Sequence, residues 1–179
     1  MPAGDLTRAV GRQLFEVPNA NAFAVLDGAS VPALLDGLHR HEPEHLCLLP
    51  GDLEPDMAEV APYLVQLAPE HDFTRWVIEE GWGNHWGIFA VTPADLRHLK
   101  RHLRQFLTVE GPDGKPLYFR FYDPRVLRTF LPTCDADETR LLFGPVSLYV
   151  MEGEDPNVLL RFTLEQSLLR KEETRLVLS

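Results

Sequence analysis

Residues 22–49, AFAVLDGASVPALLDGLHRHEPEHLCLL, contain the alternation of elements that decides the fold. The apolar run over 22–26 is bounded by polar residues and predicts a buried strand. Ser30 lies where an N-cap would begin a helix over 31–41, whose leucines repeat at helical spacing. The apolar run over 46–49 predicts a second strand. A strand, a helix and a strand in this order indicate an α/β layer.

The alternation continues along the chain and is broken once by a β-hairpin expected over 107–121, around Asp113-Gly114. We expect further strands over 63–67, 86–91, 146–151 and 158–162. We expect further helices over 5–16, 57–60, 71–80, 92–106, 124–131, 135–142 and 164–178. The predicted fold is α/β, with a mostly parallel or mixed sheet: a single mixed-sheet layered domain with flanking helices over 1–146 and a short C-terminal lobe over 147–179.

The charge of the chain bounds its partners. Lysine and arginine number 17 against 27 aspartates and glutamates, which gives a formal net charge of −10. Phosphate backbones repel an acidic surface that has no Lys/Arg stripe, so we expect neither nucleic acid nor a membrane as a partner. No apolar run is long enough to span a bilayer, and the N-terminus has no continuous apolar signal core. The sequence therefore predicts a cytoplasmic protein.

Residue patterns for catalysis or metal binding are weak in this chain. Cys47 and Cys134 are isolated and form neither a disulfide framework nor a spaced zinc set. His98 and His102 would share a helix face, but two ligands surrounded by Arg and Lys rarely make a metal site. The Gly-x-Ser-x-Gly, P-loop and dinucleotide-binding glycine patterns do not occur. We therefore expect no catalytic residue, no metal and no cofactor.

The segment over 117–127, LYFRFYDPRVL, is the most distinctive stretch of the sequence. Its aspartate-proline pair is typical of a helix start, with the aspartate as the cap. The two arginines are placed to clamp a buried carboxylate, which would make them structural. The alternative is that they hold an anionic substrate, but no acid, base or nucleophile lies beside them in sequence. We expect a structural motif formed by Asp27, Arg120, Asp123, Pro124 and Arg125.

The glycine-rich segment over 81–87, GWGNHWG, lies between a predicted helix and a predicted strand. Its glycines are expected to supply tight turns. Trp82, His85 and Trp86 are candidate partner-binding residues, because tryptophan is enriched among binding hot spots. The alternative, that the two tryptophans pack over the end of the sheet, is favoured about two to one because loop aromatics in compact domains are more often buried.

The chain resembles a known bacterial family through a series of segments that occur in order. These are Leu26-Asp27-Gly28-Ala29, Ala61-Pro62-Tyr63-Leu64, Gly87-Ile88-Phe89, Arg120-Phe121-Tyr122-Asp123-Pro124-Arg125-Val126-Leu127 and Phe143-Gly144-Pro145-Val146. The series is similar to that of the type VI secretion effector adaptor/chaperone family, a Tap/Tec-like domain of unknown function encoded beside spike and effector genes. The similarity runs from about Phe23 to Val146.

The resemblance implies a non-catalytic function. Members of the family bind a secreted effector protein and help to load it onto the spike, VgrG or its PAAR tip. Members commonly carry a longer C-terminal lobe than the residues that follow Val146 here. Leu164, Leu168 and Leu169 of the predicted terminal helix are therefore candidate partner-binding residues, although simple packing of that helix on the domain is at least as well supported.

Two other functions remain open from the sequence. The first is an α/β enzyme or ligand-binding domain that acts on a small anionic ligand near Asp27, Arg120 and Arg125. A deep cleft that joins these residues would favour it, whereas a packed salt bridge would favour the adaptor. The second is an immunity-type binder, which would differ from an adaptor in silencing the effector that it binds.

Overall fold

The computed structural model describes residues 3–176. The α-helices are α1 (Ala3–Phe15), α2 (Leu34–His41), α3 (Pro55–Val60), α4 (Asp72–Gly81), α5 (Leu96–Leu103), α6 (Pro124–Phe130) and α7 (Ala136–Phe143). The strands are β1 (Asn21–Asp27), β2 (His45–Cys47), β3 (Pro62–Leu67), β4 (Gly87–Thr92), β5 (Thr108–Glu110), β6 (Pro116–Tyr118), β7 (Leu148–Glu152), β8 (Val158–Glu165) and β9 (Leu168–Arg175). Short 3₁₀ turns follow α5 and α6.

Seven strands form the main sheet in the order β2-β3-β1-β4-β7-β8-β9, while β5 and β6 form a separate hairpin. The α/β layered class is confirmed. Every neighbouring pair of described strands is antiparallel, so the expectation of parallel pairs is wrong. α2 and α4 each connect two strands that run in the same direction with another strand between them. The connection from β3 to β4, for example, passes over β1. α3 instead connects the adjacent antiparallel strands β2 and β3, and the segment with α5, α6 and α7 connects the adjacent antiparallel strands β4 and β7.

Two apolar cores cover the two faces of the sheet. Alternate residues of β1 point to opposite faces of the sheet. Ala24 and Leu26 belong to the core on the face covered by α1, α2 and α4. Phe23 and Val25 belong to the core on the face covered by α5, α6 and α7. β1 is buried along almost its whole length because helices lie on both sides. This packing explains why the strand has a continuous apolar sequence.

The C-terminal segment differs most from the sequence prediction. Residues 164–175 do not form a helix, because β8 continues to Glu165 and β9 returns beside it; Leu178 lies outside the described residues. Gln166 and Ser167 make the two-residue turn, with φ of 49° and 66°. Hairpin turns of this kind usually contain Asn or Gly, so the sequence carried no turn signal. The segment expected as a C-terminal lobe supplies three strands of the main sheet.

A predicted helix cap and a predicted helix start are also wrong. The Ser30 hydroxyl donates to the Asp27 carboxylate (2.8 Å), and α2 begins four residues later. The helix predicted from Thr92 begins at Leu96, with Asp95 as its cap. Thr92 instead donates its hydroxyl to the Pro145 carbonyl (2.7 Å). The Ser30 hydroxyl bonds to a carboxylate three residues earlier, and the Thr92 hydroxyl bonds to a carbonyl from a distant part of the chain, so neither is a helix cap.

The described part of the chain contains no helix that is long and apolar enough to cross a membrane.

Candidate functional site

Asp27, the last residue of β1, is the centre of a charged cluster at one end of the sheet. It is 1% exposed. Its carboxylate accepts hydrogen bonds from Arg120, from the Ser30 hydroxyl and from the Ala29 amide (3.1 Å). Burial disfavours the charge of Arg120, but the hydrogen bond and the negative charge of Asp27 outweigh it and raise the arginine pKa. The pair therefore joins the end of β1 to the segment before α6.

Asp123 forms a second pair with Arg125 in the same segment. The Asp123 carboxylate caps α6 by accepting from the Arg125 amide (2.9 Å), and it accepts from the guanidinium at 3.0 and 2.7 Å. Burial alone would raise the pKa of Asp123, but these hydrogen bonds hold the pKa below its ordinary value. A two-point contact of this kind fixes the plane of the guanidinium.

Glu152, at the end of β7, is the third buried carboxylate of this sheet end and is 3% exposed. It pairs with His85 and accepts from the Gly83 amide (2.5 Å), so it holds the loop before β4. Arg128 of α6 donates to the Gly153 carbonyl (3.0 Å). These contacts hold the loop before β4 and α6 at the end of β7.

The three carboxylates form one connected cluster. We use the name charged cluster for Asp27, Arg120, Asp123, Arg125, Glu152, His85 and Arg128. The carboxylates are inside and their cations face outward: the side chain of Arg120 is 42% exposed and that of Arg125 is 51% exposed. Buried carboxylates and half-exposed guanidiniums give a rigid surface whose outer N–H groups remain available to acceptors.

The structure brings together the residues of the predicted motif. Asp27 pairs with Arg120 and Asp123 with Arg125, and Pro124 is the first residue of α6. Glu152 and Arg128 were not predicted from the sequence. Glu152 follows an apolar strand much as Asp27 does, and this position at a strand end was the available signal.

Residues 22–141 match the family model described as a domain of unknown function, DUF4123. The match covers most of the chain and extends from β1 into α7. It includes Asp27, Arg120, Asp123 and Arg125. The chain belongs to the DUF4123 family. Neither the curated proteins nor the solved structures contain a significant match to it.

In this DUF4123 chain the two loop tryptophans have different environments. Trp86 is 8% exposed and packs on Trp76, with ring centroids 4.9 Å apart. Trp82 is half-buried and donates its indole N–H to the Pro156 carbonyl (2.8 Å). Direct contact of Trp86 with a partner would require the loop to move. The prediction that this loop binds a partner therefore concerns Trp82 and His85 first.

The three C-terminal leucines of this DUF4123 chain lie on the β8–β9 hairpin. Leu164 and Leu169 are opposite each other, are half-buried and pack against the core on the α7 side. Leu168 is 58% exposed. Among the three, Leu168 offers the largest apolar surface to a partner.

Of the remaining titratable candidates in the DUF4123 fold, His102 is buried, the two cysteines are partly buried and His98 is exposed. His102 is buried beside the Leu142 carbonyl (3.1 Å), and burial lowers its pKa. Burial also raises the pKa of Cys47, and burial with nearby negative charge raises that of Cys134 to about 11. These thiols stay protonated at neutral pH, which disfavours nucleophilic attack. Within residues 3–176, no three His, Cys, Asp or Glu side chains are grouped so as to hold a metal.

A groove of about 520 Å³ runs beside the loop that follows β1. It is lined by residues 28–36 and by Glu59 and Val60. Neither Asp27 nor Arg120 or Arg125 contributes to its lining. The charged cluster is therefore a packed set of ion pairs beside a groove, and the carboxylate of Asp27 does not face into that groove.

Proposed function

We propose that this DUF4123 chain is a non-catalytic, cytoplasmic adaptor that binds a type VI secretion effector and promotes its loading onto the VgrG or PAAR spike. The family match supports the proposal, and the ordered series of segments that resembles the adaptor/chaperone family supports it independently of the fold. The net charge of −10 also fits a protein whose partners are other proteins rather than nucleic acid.

The burial of Asp27 is the observation that favours an adaptor over an enzyme. An enzyme that used Asp27 would need the carboxylate to reach a substrate. Asp27 is 1% exposed, and its oxygens already accept hydrogen bonds from Arg120, Ser30 and Ala29. A residue bonded in this way is suited to holding the fold, and this is the packed arrangement expected for the adaptor.

The outer edge of the charged cluster is the surface that we propose for the partner. Arg120 and Arg125 expose about half of their side chains while their carboxylate partners hold them in place. Trp82 lies on the same end of the sheet, next to the loop held by Glu152. Arginine and tryptophan are common hot-spot residues, and a pre-ordered side chain loses little entropy on binding.

A second candidate function uses the same guanidiniums. Their outward N–H groups suit a small anionic ligand, so a ligand-binding domain or an enzyme near Asp27, Arg120 and Arg125 is the alternative. Its supporting observation is the 42% and 51% exposure of the two arginine side chains. It predicts saturable binding of a small phosphate or carboxylate compound by the isolated chain.

The test is co-expression of the full chain with candidate type VI effector and spike proteins. Complex formation is measured by pull-down and by size-exclusion chromatography with light scattering, and affinity by calorimetry. Asp123→Asn keeps the α6 cap and the guanidinium, whereas Asp123→Asn with Arg125→Ala removes the guanidinium without leaving a buried charge unpaired. We expect the first variant to bind like wild type and the second to bind about tenfold or more weakly.

Arg101→Ala is the matched control, because Arg101 is an exposed arginine on α5. It should leave the affinity unchanged. Failure of the wild-type chain to bind either protein across a range of salt concentrations would refute the adaptor. Titration of the isolated chain with phosphate and small dicarboxylates would then test the alternative.

A further inference from the structure

β9 is the outer strand of the main sheet and its far side is open. It has eight residues, and all but Leu169 are exposed along its length. Within residues 3–176, no strand pairs with this outer edge. The opposite edge strand, β2, has three residues. An edge strand of eight residues is long enough to pair with another strand, and native proteins usually block such edges.

The free hydrogen-bonding groups of β9 belong to its odd-numbered residues. The Leu176 amide, directly after β9, donates to the carbonyl of Asn157, directly before β8. The other even-numbered residues of β9 therefore also direct their amides toward β8. Backbone direction alternates along an antiparallel strand. The outward donors and acceptors are therefore those of Leu169, Lys171, Glu173 and Arg175.

The charges of β9 are complementary to the same strand reversed. The order from residue 170 is Arg-Lys-Glu-Glu, two cations followed by two anions. An antiparallel copy of the strand can place Lys171 opposite Glu173, and Arg170 then lies opposite Thr174 and Arg175 opposite Leu169. Two such edges are related by a two-fold axis perpendicular to the sheet, so each face of one sheet continues into the same face of the other. Two residues directly opposite each other across the new edge must therefore point to the same face.

We propose that two copies of this chain associate through antiparallel pairing of their β9 edges, centred on Glu172. This register sets Lys171, which also pairs with Glu173 of its own chain (2.7 Å), opposite Glu173 of the second copy, twice by symmetry. It also pairs all four outward-facing residues of each strand. Glu172 lies opposite Glu172 of the second copy. Each of these carboxylates accepts a hydrogen bond from Arg161 of its own chain (2.6 Å), which offsets the repulsion between them. The product is one continuous sheet of fourteen strands, twice the seven of one chain.

The same charges oppose other occupants of the edge. A strand of neutral or uniformly charged sequence would leave Lys171 or Glu173 opposite an apolar or like-charged residue, and like charges directly opposite destabilise a pair. Charged residues on an edge strand thus block indiscriminate pairing. The Lys171–Glu173 pair, which forms twice, makes the reversed copy of β9 a better fit than such strands.

The experiment is sedimentation and light scattering of the full chain at a series of protein concentrations, in low and high salt. We expect a mass of about twice the 20.3 kDa of one chain at high concentration, with weaker association in high salt. Lys171→Glu and Glu173→Lys each place like charges opposite and should weaken association about tenfold or more. The double variant restores opposite charges and should restore association.

Lys171→Pro tests the backbone pairing. The Lys171 amide points outward, so proline removes an edge donor and leaves the bonds to β8 intact. It should abolish the dimer and leave circular dichroism unchanged. Arg101→Glu, a charge reversal on α5, is the control and should still dimerise.

Two results would overturn the proposal. One is a mass of a single chain at every concentration, and the other is a dimer that none of the β9 variants affects. If the protein is monomeric and Lys171→Pro abolishes its complex with an effector, the β9 edge pairs with a strand of the effector instead. Because the measurement uses the isolated chain, its outcome is independent of whether the adaptor function holds.

Discussion

At the scale of single residues, three buried carboxylates organise one end of the molecule. Asp27, Asp123 and Glu152 each end a strand or begin a helix; Asp27 and Asp123 are each paired with a half-exposed arginine, and Glu152 is paired with His85. Removing one partner of such a pair leaves a buried charge without compensation. These residues therefore fix the loops around them, and the guanidiniums acquire defined positions as a consequence.

The first prediction concerns Asp123 and pH. Its folded pKa lies below the ordinary value of 3.8, so its ion pair stabilises the fold above that pH and is lost as the pH falls through the folded pKa. Asp123→Asn keeps the cap but removes the charge, and it should cost about 1 kcal/mol near neutral pH because Arg125 is half exposed. Urea unfolding measured from pH 7 downward should show the difference from wild type shrinking below about pH 4.

Asp113→Asn is the matched control for this change. Asp113 pairs with Lys115, and both side chains are more than half exposed. This variant should match wild type at every pH. A constant difference between Asp123→Asn and wild type down to the lowest pH would show that the charge of Asp123 contributes nothing.

At the scale of elements, close backbone contact sets which residues β4 tolerates. Gly87 begins β4 opposite Leu26 of β1. A Cβ atom at Gly87 would lie 2.1 Å from the Val25 carbonyl oxygen. Both strands are central in the sheet and have helices on both faces, so neither backbone can move away without loss of packing.

The second prediction is that Gly87→Ala lowers the free energy of unfolding by about 1–3 kcal/mol, the cost of overfilling a packed core. Thermal and urea unfolding measure the change. Gly4→Ala is the control, because no atom lies within 4 Å of the added Cβ and the residue lies in α1. Alanine favours a helix over glycine, so this control should be as stable as wild type or slightly more stable. Equal losses in both variants would contradict the contact argument.

At the scale of the whole molecule, residues 148–175 complete the main sheet. β7 pairs with β4, β8 with β7 and β9 with β8. Leu160 and Phe162 of β8 are buried in the same core as α5, α6 and α7. The C-terminal segment thus shares its core with the region matched by the family.

The third prediction follows from this shared core. Deletion of residues 167–179 removes β9 and exposes the edge of β8, including part of the side chain of Phe162, which lies opposite Lys171. We expect the loss of about 3 kcal/mol or more and a lower Tm, since burial of one large apolar side chain contributes about 1.5–3 kcal/mol. Calorimetry measures the change. A truncated chain with the wild-type Tm would show that the C-terminal segment is an independent lobe.

Leu168→Ser is the control for the truncation. It changes the most exposed of the three C-terminal leucines and leaves β9 in place. Its Tm should equal that of wild type within the small change that substitutions of exposed residues usually cause. If Leu168→Ser loses the complex with a partner and Arg101→Ala keeps it, the β8–β9 hairpin takes part in binding. This comparison does not depend on the truncated chain, which could lose the complex simply because it is unfolded.

The sequence by itself determined the elements whose signals are local. The apolar runs at β1, β3 and β4, the cap of α6 at Asp123 and the boundaries of α4 and α7 all follow from residues within a few positions. The sequence also predicted that Arg120 and Arg125 clamp a carboxylate such as Asp27 or Asp123, and the structure pairs Arg120 with Asp27 and Arg125 with Asp123.

Only the tertiary structure decided how these elements are ordered. The alternation of strands and helices does not specify which strands become neighbours. α2 and α4 each pass over one strand, whereas α3 connects two adjacent strands, and every neighbouring described pair is antiparallel. β9 has the composition of a helix. It is a strand because its backbone pairs with β8, where Phe162 lies opposite Lys171. Helix propensities are worth a few tenths of a kcal/mol per residue, which long-range pairing overrides. Glu152 joined the charged cluster for the same reason: its partners lie about seventy positions away in the chain.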